Sequence, residues 1–169
     1  NTRSEHEEFY KSYWNYVPNL KLGEVNFQND SQKIEFIEQV DFSSNNYLSQ
    51  AGDNLLLAPN FSNRNLGVPD RVRKRKREVV IKRGYLDEDE FLINLPEGYI
   101  PESLMLPVRV ETKFGTYSMS ILPKEPGIML YKRKLLVKSG QYPKDDYDAY
   151  RDFRKTVARY DNTKIILTK

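Results

Sequence analysis

The chain has 169 residues, 38% of them apolar, with 27 basic against 24 acidic side chains and a net charge of +3, too near balance to imply a polyanionic partner by itself. Cysteine is absent and His6 is the only histidine. This excludes disulfides, thiolate nucleophiles and cysteine metal sites, and argues against a Ser-His-Asp triad or a multi-histidine metal centre.

Ser4-Glu5-His6-Glu7 has the form of a capping box, and Phe9, Tyr13 and Tyr16 follow at helical spacing with Tyr10 and Trp14 beside them. A helix of about three turns is expected there, ended by Pro18. From Leu20 the period changes to two. Leu20, Leu22, Val25 and Phe27 predict a strand broken near Gly23, Asn29-Asp30-Ser31 a turn, and Ile34 to Phe42 a return strand. Ala51-Gly52-Asp53-Asn54 predicts a hairpin turn between Tyr47-Leu48 and Leu55-Leu56-Leu57. Pro59 to Pro69 reads as a long loop.

Val79 and Ile81 open the next strand. A turn near Tyr85 would set Val79 opposite Phe91 on a following strand that carries Phe91, Ile93 and Leu95. Val108 and Val110, then Tyr117, Met119 and Ile121, then Ile128 to Val137 predict three more strands, separated by turns at Phe114-Gly115 and Pro123 to Gly127. Pro143, with Asp145, Asp146 and Asp148 in the first turn and Lys155 and Arg159 in the last, marks a helix over 143–160. Tyr147, Tyr150, Phe153 and Val157 line its apolar face. Ile165-Ile166-Leu167 closes the chain as a strand. The expected class is mainly β: an antiparallel β-sandwich-like domain with an N-terminal helix and one helix between the last two strands. Residues 1–19 are read as helix and linker, and 20–169 as a single β domain. No stretch approaches the roughly 20 apolar residues that would span a bilayer. The chain opens on Asn1-Thr2-Arg3, with no initiator methionine or leader, and reads as a processed product or an excised piece.

The order of Leu95-Pro96-Glu97-Gly98-Tyr99, Phe114-Gly115-Thr116-Tyr117, the basic-apolar strand at 130–137, Tyr142-Pro143, Tyr147, Phe153 and Asp161-Asn162-Thr163-Lys164 resembles one family. It is similar to the C-terminal β-rich domain of unknown function that follows a transglutaminase-like, papain-like core in extracytoplasmic bacterial proteins. Tyr47, Gly52-Asp53 and Leu57-Ala58-Pro59-Asn60 fit the hairpin before it. The resemblance implies a place downstream of an enzyme core, a periplasmic or cell-surface compartment, and no catalytic residue, since the family's Cys-His-Asp constellation has no counterpart here.

Several features invite sharper readings. Arg71, Arg73, Lys74, Arg75, Lys76 and Arg77 place six bases in seven residues, which can mark a patch for an anionic partner. The reading preferred is a solvated segment whose charge is answered by Asp87-Glu88-Asp89-Glu90 across a hairpin. No aromatic residue interleaves with the run, which argues against a stacking platform for single strands and against specific nucleic-acid recognition. The acidic clusters at 87–90 and 145–148 lack the glycine and spaced ligands of a calcium loop, and the tyrosines and Trp14 fit core packing better than a sugar platform. No catalytic residue, cofactor or metal is expected. The expectation is a non-catalytic accessory domain packed against a transglutaminase-like core; the alternative is a binding module for a peptide, a glycan or an anionic surface.

Overall fold

Residues 2–169 are described by a computed structural model with 45% strand and 17% helix, all sheets antiparallel and no barrel. The class is the one the strand periods predicted. Two compact units result, Asn1–Ser49 and Gln50–Lys169. Residues 1–19 share a unit with the first hairpin, on which Tyr10 and Trp14 are packed.

In the first unit, α1 (Arg3–Tyr13) is capped by Thr2, two residues earlier than the Ser4 box. Thr2 Oγ1 accepts from the Glu5 amide, and the Glu5 carboxylate accepts from the Thr2 amide. β1 (Leu20–Asp30) and β2 (Glu35–Ser44) form a hairpin whose register slips between Leu22 and Val25, at the Gly23 break. A Cβ on Gly23 would stand 2.9 Å from the Asp41 carbonyl oxygen, so the bulge and the glycine go together. Tyr10, Trp14, Val17, Leu20 and Leu22 make the core, with Phe42 packed on it. The predicted stripe is thereby corrected: Phe9 and Tyr13 are 57% and 58% exposed, whereas Tyr10 and Trp14 are buried. The helix is aromatic on two adjoining faces, and only the hairpin's apolar row selects between them.

The second unit opens within β3 (Ser49–Ala51), which with β4 (Asn54–Leu57) flanks Gly52, whose φ of 62° suits the tight turn. After the loop 58–78 come β5 (Val79–Ile81), β6 (Tyr85–Asn94), β7 (Ile100–Pro101), β8 (Val108–Thr112), β9 (Gly115–Glu125), β10 (Ile128–Val137) and β11 (Gly140–Tyr142). A 3-10 turn at Lys144–Asp146 leads into α2 (Tyr147–Asp161), and β12 (Ile165–Thr168) closes the fold. One sheet runs β6-β10-β9-β8 and another β3-β4-β12-β7, while β11 pairs with β5 alone.

The expected pairing of Val79 with Phe91 is not formed. Val79 lies opposite Tyr142, and Phe91 opposite Tyr131. A short strand at 79–81 gains more from a partner across the unit than from the hairpin its neighbourhood suggests. Gly84 supports this choice: a Cβ there would meet the Val137 carbonyl at 2.8 Å and the Ser139 amide at 2.9 Å.

The β6-β10-β9-β8 sheet buries one face. Tyr117, Met119 and Ile121 on β9 and Met129, Tyr131, Leu135 and Val137 on β10 are buried, as are Phe153 and Val157 on α2. Gly115, from the Phe-Gly-x-Tyr motif, has φ of 153°, and an added Cβ would stand 1.9 Å from the Leu136 carbonyl oxygen. Only glycine permits the β9–β10 ladder to continue to Val137.

Candidate functional site

The most tightly organised polar group is a buried ion pair inside the second unit. Arg133 occupies β10 with the inward parity of Met129, Tyr131, Leu135 and Val137, and only 2% of it is exposed. Its Nε donates to Asp161 Oδ1 at 2.7 Å and its terminal nitrogens donate to Asp161 Oδ2 at 2.8 Å and Asp89 Oδ2 at 2.7 Å. The planar fork of arginine matches a carboxylate with two parallel bonds, which lysine could not do. Asp161 also accepts from the Tyr117 hydroxyl at 2.9 Å and the Asn65 amide at 2.8 Å. Asp161 is the last residue of α2, so its carboxylate sits at the negative end of a helix dipole, and these donors supply its hydrogen-bond partners there.

Burial lifts the Asp89 carboxyl above the ordinary carboxylate range, against the opposing pull of Arg133. It likewise pushes the phenols of Tyr117 and Tyr131 well above the ordinary value, and the Asp161 charge adds to that. Burial opposes the charge of Arg133, but its bonds to Asp161 and Asp89 outweigh that cost and raise it. The two tyrosines differ in one respect: Tyr117 has its bond to Asp161, whereas the buried Tyr131 hydroxyl has no partner among the described residues. Tyr131→Phe should therefore change stability by less than about 0.5 kcal/mol or improve it, whereas Tyr117→Phe should cost about 1.5–3 kcal/mol, measured by urea denaturation. Because the folded state holds both phenolic protons more tightly than the unfolded chain, their contribution is complete below pH 10 and is lost as the pH rises above it. In an alkaline titration followed by phenolate absorbance, both rings should ionise only as the protein unfolds.

Beside the bond from the Asn65 amide to Asp161, further contacts fasten the long loop. Asn60 brackets Asn63 through two hydrogen bonds, Arg154 reaches Asn65 Oδ1 at 2.6 Å, and Arg151 donates to the Pro69 carbonyl at 2.9 Å. The Tyr147 hydroxyl donates to the Asp70 carbonyl at 2.6 Å. The irregular segment 58–78 is thus tied along α2, and its basic end is delivered to the N-terminal side of that helix.

The acidic run does not answer these bases. Glu88 and Glu90 pair with Lys134 and Lys132, and Asp89 with Arg133, all on β10. The expected neutralisation is corrected: β6 pairs with β10, which supplies three cations in register with the acids. The basic residues lie elsewhere. Arg73, Lys74 and Arg75 meet Lys144, Asp145 and Asp148 around a concavity of about 240 Å³ floored by Val72 and Tyr147. Arg75 stacks 4.2 Å above the Tyr147 ring and donates to the Glu78 carbonyl at 3.0 Å. Arg71, Lys76 and Arg77 are exposed outside that concavity.

Two larger hollows carry less directed chemistry. An open hollow of about 680 Å³ lies over the sheet's outer face near Ser118, Ser120 and Arg109, where Lys132 and Lys134 are already paired with acids. The first unit has one of about 660 Å³ lined by Phe9, Tyr10, Phe27 and Phe36, with Glu5, His6 and Glu38 beside them. Among the described residues no group of three or more His, Asp or Glu side chains is placed to hold a metal ion.

Sequence reasoning missed Arg133, Asp89 and Asp161 as a set. The signal was present, since Arg133 shares the parity of four apolar neighbours, Asp89 that of Phe91 and Ile93, and Asp161 follows Val157 by one helical turn.

Fold and site together define a small antiparallel β domain braced by one helix through a buried ion pair. The family profile described as a domain of unknown function with a solved structure, DUF3858, matches residues 53–167, and the chain belongs to that family. It is also similar in fold to a solved protein from Parabacteroides distasonis ATCC 8503 described as a putative protease, with a TM-score of 0.56 and 15% identity. That likeness covers 71% of this chain and 24% of the other, so the chain spans about a quarter of that protein's length. No curated protein matches the chain.

Proposed function

We propose that this is a non-catalytic accessory domain of a longer extracytoplasmic bacterial protein, packed against a transglutaminase-like core in the same polypeptide. The observation that carries the reading is the fold match confined to 24% of a much longer chain, the pattern of a module that accompanies other domains. The sequence resemblance supplies the identity of the neighbour and the compartment. The exposed rings of Phe9, Phe27 and Phe36 around their hollow supply the kind of apolar surface that a neighbouring domain covers. With no cysteine and a single histidine, the usual nucleophile–base pairs are not available to this chain.

Two measurements test the reading. The isolated chain should give no turnover in a broad peptide, ester and glycoside screen, and reproducible turnover that survives His6→Ala would sink it. The coding sequence upstream of Asn1 should encode a Cys…His…Asp core, and an unrelated upstream domain would sink the proposed neighbour.

A further inference from the structure

We propose that Arg73, Lys74, Arg75 and Lys144 form a binding site for a tetrahedral dianion, a sulfate or phosphate group. The site stands on its own geometry, whether or not an enzyme core accompanies the domain.

Three observations carry it. Three of the four acids expected to neutralise the basic run, Glu88, Asp89 and Glu90, are paired on β10, and among the described residues Arg71, Arg73, Lys74, Lys76 and Arg77 form no ion pair. A cluster of unpaired cations repels itself unless an anion joins it. Cations from two separate elements also converge on one concavity of about 240 Å³, large enough for such a group with its first waters. Its four cations stand against the carboxylates of Asp145 and Asp148, leaving a local excess of two positive charges, which a dianion would balance. Arg75 is held in place by its stacking on Tyr147 and its bond to the Glu78 carbonyl. Its Nε is buried with no partner among the described residues. Arginine and lysine together suit tetrahedral oxyanions, the first by its fork and the second as a point charge.

Diffuse attraction by a polycation would not discriminate between bases inside and outside the concavity. The test uses that difference. The full chain is titrated calorimetrically with sodium sulfate and, separately, with a sulfated heparin disaccharide, both at fixed ionic strength. Saturable binding is expected. Arg73→Gln with Lys144→Gln should weaken it by about tenfold or more, as expected for lost charge-assisted bonds. Arg71→Gln with Arg77→Gln removes the same charge outside the concavity and should change affinity by less than about threefold. If the first pair impairs folding, Lys74→Gln replaces it, since that side chain is exposed. Sulfate and disaccharide binding equally would point to the free ion, and a preference for the disaccharide to a group carried on a sugar. Equal losses from the two double variants, or no saturable binding of either probe, would overturn the proposal.

Discussion

Asp161→Ala is expected to destabilise the protein by about 3–5 kcal/mol in urea denaturation, the range for removing one partner of a buried ion pair. The change would leave the Arg133 guanidinium, the Tyr117 hydroxyl and the Asn65 amide without their shared acceptor. Arg133 would keep Asp89 as its one carboxylate partner, and the donors left unpaired inside the core supply most of that cost. Adding Arg133→Met together with Asp89→Asn should recover part of the loss, because the buried charges then leave together and an unbranched apolar chain takes the arginine's volume. A single-variant loss below about 1 kcal/mol would show that the pair contributes little to folding.

Phe153→Ala should be comparable, about 3–5 kcal/mol, because it removes a large buried ring and leaves a cavity on the face that α2 turns inward. Phe153→Leu should lose distinctly less, since it keeps most of the apolar volume. Equal losses would mean that the ring's shape, rather than the space it fills, holds the helix in place. A loss under about 1 kcal/mol for the alanine variant would remove this face from the core.

The helix around Phe153 was legible because three signals agreed: a proline at its start, acids then bases along its length, and apolar residues on one stripe. The Gly23 bulge was legible for a similar reason, since the break in alternation and the glycine fall together. Pairings between distant strands were not. β5 and β6 are adjacent in sequence, and their apolar rows would fit a hairpin, yet each joins a strand about forty to sixty residues away. The register that would have shown this lies in β10, whose Lys132, Arg133 and Lys134 match Glu90, Asp89 and Glu88 charge for charge. A single sequence offers many such matches, and only the folded chain selects one. The candidate anion site was half visible in the same way. The run at 71–77 announced itself by composition, but Lys144 entered only because the loop is tied to α2.

That loop is secured in an unusual direction. Several fastenings come from the helix and end on main-chain oxygens: Arg151 on Pro69, Tyr147 on Asp70 and Arg154 on Gly67. A carbonyl is present whatever residue carries it, so the path of the segment is indifferent to much of its own sequence. Mutation can therefore rewrite its outward side chains at little cost to folding, and selection is free to give that strip of surface one chemistry in one relative and another in the next.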